Sequence, residues 1–125
     1  MHPFFKEVCE AQGWKVIAAS AVIPLSDGRT QSVLHEVYEE DGDKILRAYT
    51  VVGDARVLDE RRVRAALSLN WRLRFGAIAI WEDKLVLTDT FLVEEMDAHE
   101  LLGSIKYLAE TGDKYEKYLF RVDKN

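Results

Sequence analysis

The 125 residues contain one cysteine and two prolines, seven scattered glycines, and no apolar run close to the roughly 18 residues that a membrane span requires. Cys9 cannot form an internal bridge, which excludes a disulfide scaffold and removes any need for an oxidising compartment. With no Pro-, Ser- or Gln-rich stretch and no repeat, the chain shows no linker, and residues 1–125 are expected to form a single domain. At this length about two-thirds of the unfolded surface can be buried, enough for a core without a metal. The beginning of the chain lacks a basic, then apolar, then small-residue leader, so the expectation is a soluble cytoplasmic protein without membrane contact.

Positive charge is also scarce: 17 Lys and Arg stand against 22 Asp and Glu, a net −5. Proteins that bind nucleic acid generally need the opposite balance to displace counterions from phosphate, so no nucleic-acid partner is expected. The balance is uneven, however. Six arginines and two acids lie between Arg56 and Arg74, leaving 11 basic against 20 acidic residues elsewhere. Such a basic segment can serve phosphate, an acidic partner or the chain's own carboxylates, or simply be solvated.

What is present is a readable alternation of patterns. Residues 3–13 predict a short helix: Pro3 suits a first helical position, Phe4 and Val8, and Phe5 and Cys9, are four apart, and Gly13 can close it. From Trp14 to Gly53 the apolar period falls towards two. Turn signals at Ser26-Asp27-Gly28-Arg29 and Asp41-Gly42-Asp43-Lys44 divide this stretch into a three-stranded antiparallel meander. In its last strand Leu46, Ala48, Thr50 and Val52 share one face and Ile45, Arg47, Tyr49 and Val51 the other.

A long helix is predicted from about Leu58 to Arg74. Its polar stripe of Arg61, Arg64, Ser68 and Arg72 spans about 80°, and its apolar residues spread over roughly 220°, wider than one contact requires. Asn70 falls within that apolar arc. Its amide must find partners there, either backbone where the chain turns into Gly76 or a ligand. A hairpin of Gly76–Trp81 and Leu85–Leu92 follows, turning at Glu82-Asp83-Lys84. The last helix is announced by Asp97 and Glu100 as a capping pair, with Met96 and Leu101 as its staple. Gly112 is expected to end or kink it before Tyr115, Tyr118, Leu119 and Val122 resume the spacing. The expected order is α-β-β-β-α-β-β-α, an α+β domain with an antiparallel sheet packed with helices.

The usual chemical signatures are missing. There is no GxxxxGK[ST], GxGxxG or GxSxG. Cys9 reads as a small core residue. His35-Glu36 and His99-Glu100 open like a zinc helix motif, but Glu39 and Gly103 stand where the second histidine belongs. Glu39-Glu40-Asp41-Gly42-Asp43 lacks the ligand ladder of a calcium loop. No enzyme, cofactor or metal is expected.

The stretch from Leu67 to Leu119, a little under half the chain, resembles the YbjN family and, through it, the type III secretion chaperone-like fold. The shared features are Leu69-Asn70 late in the central helix, the strand Gly76-Ala77-Ile78-Ala79-Ile80-Trp81, a charged turn, Leu85-Val86-Leu87, Glu100-Leu101, and the Thr111-Gly112-Asp113 break. The resemblance implies a small, acidic, non-enzymatic cytoplasmic protein, commonly a homodimer, that holds an extended segment of a partner protein against apolar patches. The wide arc of the central helix then has two uses, one side for the sheet and the other, led by Leu67 and Trp71, for a second copy. Phe4 and Phe5 are adjacent, so one of them, with Val8 and Trp14, can form an apolar landing patch for an unidentified protein, or both can pack into the core. The alternative is a small regulatory or ligand-sensing domain with a pocket near Asn70, Tyr49 and Trp81.

Overall fold

The computed structural model describes residues 1–121. Helix α1 (Pro3–Ala11) starts on His2, whose Nδ1 accepts the Phe4 N–H, and ends before Gly13 at φ 77°. Strands β1 (Lys15–Ile17), β2 (Ser20–Pro24), β3 (Thr30–Glu40) and β4 (Asp43–Asp54) follow, then α2 (Glu60–Leu69), β5 (Ala77–Trp81), β6 (Lys84–Leu92) and α3 (Ala98–Phe120). The six strands make one antiparallel sheet in the order β1-β2-β3-β4-β6-β5. The fold is α+β.

The meander has four strands rather than the expected three. The first apolar run folds back on itself at Ala18-Ala19, with Ile17 paired to Ser20 and Ala18 at φ 52°. Two alanines carry no turn chemistry of their own, and this turn is held from outside: the Ala19 carbonyl accepts both the backbone N–H and Nδ1 of His35. Asp41-Gly42 and Glu82-Asp83 are two-residue hairpin turns with positive φ at both positions.

The central helix is shorter than its periodicity suggests. Asp59 caps it by accepting the Arg62 N–H, and after Leu69 the chain tightens into one 3₁₀ turn, Asn70–Arg72, and becomes extended at Leu73. The last helix is longer. It starts on Asp97, which accepts the His99 and Glu100 amides, and runs unbroken through Gly112 to Phe120. Gly112 is there for proximity rather than termination: an added Cβ would lie 2.6 Å from Cγ2 of Thr50, so glycine lets α3 settle onto β4. Val122 lies outside the described residues.

One face of the sheet carries the helices. Leu46, Ala48, Thr50 and Val52 of β4 are all buried there, with Val33 and His35 of β3, Leu85 and Leu87 of β6, and Leu101, Ile105 and Leu108 of α3. Thr50 is satisfied in this setting, donating to Ser32 O and accepting from Gln31 Nε2, both at 2.7 Å. Ser104 of α3 donates to Asp89 of β6, and Arg29 and Lys117 pair with Asp27 and Asp113 to tie the β2–β3 turn to α3. The opposite face bears Ile17, Leu34, Tyr38, Ile45, Arg47, Tyr49, Val86, Thr88 and Trp81, and no helix among the described residues covers it. No described helix is long and apolar enough to cross a membrane.

Candidate functional site

At the middle of the uncovered face, β3, β4, β5 and β6 place Glu36, Arg47, Tyr49, Trp81, Val86 and Thr88 around a cleft of about 270 Å³. Alternate residues of antiparallel strands share a face, so the pairs Glu36–Arg47 and Tyr49–Thr88 bring these side chains together. Arg47 is fixed from several sides. Its guanidinium donates to Thr88 Oγ1 and Tyr38 Oη, lies over the Tyr38 ring and pairs with Glu36 at 3.3 Å. Tyr49 and Trp81 meet edge to face with centroids 5.9 Å apart. Burial, reinforced by Glu36 and Glu82, pushes the Tyr49 phenol above its ordinary value, so it stays protonated at neutral pH. The cleft falls just below the usual range of roughly 300–1,000 Å³ for small-molecule sites. Its lining is apolar and aromatic, with one ion pair, Glu36–Arg47.

The structure brings together two of the three residues expected around a ligand pocket. Asn70 is elsewhere. Its Oδ1 accepts the Ile78 N–H at 2.7 Å and its Nδ2 faces Ile78 O at 3.5 Å, so the carboxamide occupies the outward backbone groups of Ile78 near the start of edge strand β5. Asn70→Ala strips a partner from a part-buried amide and should cost about 1–2 kcal/mol, read as a lower urea midpoint at unchanged slope.

Leu67 and Trp71 both point into solvent from the end of α2, Leu67 61% exposed and Trp71 93%. The patch expected at Phe4, Phe5, Val8 and Trp14 is not a surface. Phe5 is fully buried and Val8 nearly so, while Phe4 and Trp14 are half-buried against the core. The physical reason is that α1 lies across the sheet near β1, and Phe5 stacks on the His35 ring with centroids 4.0 Å apart and planes 13° from parallel. Cys9 lies on the same buried side, and burial, with Glu10 adding to it, pushes its thiol up to about 11. It is an inert core residue.

His35 is the residue whose role the sequence left dark, since its partners are backbone groups distant in the chain. Its Nε2 accepts the His2 N–H at 2.9 Å, so Nδ1 carries the proton that it donates to Ala19 O. The neutral ring thereby joins the start of α1 to the β1–β2 turn. Burial holds its pKa below the ordinary value; the Ala19 bond opposes this, and the amino terminus and His2 add to the lowering. Because the unfolded chain then binds the proton more tightly, the stabilisation is complete above about pH 6.5 and is lost as pH falls towards the folded value. Urea midpoints measured from pH 7.5 down to 5 should fall more steeply for the wild type than for His35→Gln.

No known family model matches the chain, and no curated protein matches it. Among the described residues, no group of histidine, cysteine or carboxylate side chains is arranged to hold a metal.

Proposed function

We propose that the protein is a non-catalytic, homodimeric protein-binding module of the chaperone-like kind, joined to its second copy through Leu67 and Trp71 and holding an extended segment of a partner protein on the uncovered sheet face. The observation that carries this reading is Trp71, an indole 93% exposed beside a leucine 61% exposed, on a chain whose other helical apolar residues largely turn inward. Covering one indole of 150–250 Å² gains on the order of 4–6 kcal/mol before the cost of association, and a twofold axis counts it twice.

The sheet edges argue for docking on the face rather than strand addition. Asn70 occupies the outward backbone groups of Ile78 near the start of β5, and β1 at the other edge is three residues long. On the face, Tyr49 and Trp81 offer apolar contact, and the Glu36–Arg47 pair offers polar groups beside them. A photo-crosslinking residue placed at Tyr49 in the native cell is expected to capture one discrete protein, and the same residue at Lys106, on the exposed side of α3, is expected not to. Equal capture from both positions, or none from Tyr49, contradicts the reading.

A further inference from the structure

A second cleft, of about 610 Å³, lies within the helical layer, where the segment leaving α2 faces α3. On one side, Arg72 and Arg74 flank Leu73, which is half-buried against the core and anchors the strand between them. On the other, Tyr107, Lys114, Tyr115 and Tyr118 fall on one stripe of α3, at the offsets 0, 7, 8 and 11 of a helical face. Tyr107 is built in. Its hydroxyl accepts the Arg74 N–H at 2.9 Å, Phe75 meets its ring edge to face at 5.3 Å, and the Arg74 guanidinium lies over it at 6.0 Å.

The charge of this cleft sets it apart from the rest of the molecule. Among the described residues its lining has three cations and no carboxylate, on a chain of net charge −5. Among the described residues no carboxylate pairs with Arg72, Arg74 or Lys114; Arg61, Arg64 and several lysines are likewise unpaired, but these three line one concavity. Three unpaired cations around one concavity focus positive potential there.

We propose that this cleft binds a small ligand carrying two phosphate groups and a planar ring, the chemistry of a nucleoside diphosphate. A diphosphate brings two to three negative charges in one compact group, which suits three cations around one cleft better than the widely spaced carboxylates of an acidic peptide. Guanidinium forks hold phosphate oxygens bidentately. Tyr118, 54% exposed, supplies a free ring face for stacking. The volume lies within the range of a single small ligand.

Titration of ¹⁵N-labelled protein with ADP is expected to shift the amides of residues 69–76 and 107–118, with a dissociation constant at or below about 1 mM that weakens as salt is raised. Arg72→Gln with Lys114→Gln is expected to weaken ADP about ten-fold or more at unchanged circular dichroism. Tyr118→Ala is expected to weaken ADP while leaving pyrophosphate binding unaltered. Absence of shifts at those amides, adenosine binding as well as ADP, ADP affinity unchanged in either variant, or an oligonucleotide binding where ADP does not would each overturn the proposal.

Discussion

Gly76→Ala is expected to lower the free energy of unfolding by about 3 kcal/mol or more, a large share of the 5–15 kcal/mol that holds a domain of this size. Two effects add. Gly76 sits at φ 73°, a left-handed conformation that costs an alanine about 1–2 kcal/mol. Its Cβ would also be driven into the main-chain carbonyl oxygen of Thr88, with the Asp89 side chain close behind. A carbonyl engaged in a sheet cannot rotate aside as a flexible side chain would, so β5 must move away from β6. Gly28→Ala separates the two effects, because Gly28 has a similar φ of 86° with nothing near its missing Cβ. Urea denaturation should give about 1 kcal/mol for Gly28→Ala and the larger loss for Gly76→Ala. Equal losses would show that the Thr88 contact contributes nothing.

Phe5→Ala is expected to cost about 3–5 kcal/mol, the range for removing a fully buried aromatic ring. The loss extends beyond its own contacts. Phe5 covers one face of the His35 ring, and His35 bridges His2 and Ala19, so the cavity opens beside the joint that holds α1 and the β1–β2 turn. Water admitted there relieves the burial that holds the imidazole below its ordinary value, and the His35 pKa should rise, as followed by its ring proton shifts through a pH titration. A surface Phe5 would have produced the opposite pattern, a protein of unchanged stability with an altered partner.

These two sites also mark what could be read from the chain and what could not. Alternation in β4 was legible because Leu46, Ala48, Thr50 and Val52 are separated only by residues of the other face, and local period is what a half-covered sheet imposes. The start of α3 was legible because Asp97 caps amides two and three residues on. Features made by distant contacts were not legible. Ala18-Ala19 turns because His35 holds it, and Gly112 reads as a helix breaker until Thr50 is seen beneath it. The 3₁₀ turn at Asn70 ends α2 earlier than the apolar spacing suggests. Its amide was singled out as needing partners, and those partners are the backbone groups of Ile78, two residues beyond Gly76.

The candidate surfaces divide in the same way. Leu67 and Trp71 follow from the wide apolar arc together with the resemblance, and both stand in solvent, Trp71 on the 3₁₀ turn that ends the helix. Tyr49 and Trp81 lie 32 positions apart in the chain and meet only through the pairing of β4, β6 and β5. Adjacent phenylalanines left a landing patch and a packed core both open, and α1, lying across the sheet, buries Phe5 fully and half-buries Phe4. The arginines of residues 56–74 read as one basic segment, whereas the fold separates them: Arg56 pairs with Asp54, while Arg72 and Arg74 face the tyrosine stripe of α3.

Two copies are proposed to meet at the exposed end of α2. Sedimentation equilibrium at roughly 50 µM, where a micromolar dimer is mostly assembled, tests it most directly. The wild type is predicted to sediment at twice the chain mass, and the variant carrying Leu67→Asp and Trp71→Asp at the chain mass with an unchanged circular dichroism spectrum. A monomeric wild type, or a variant that remains dimeric, would contradict the account.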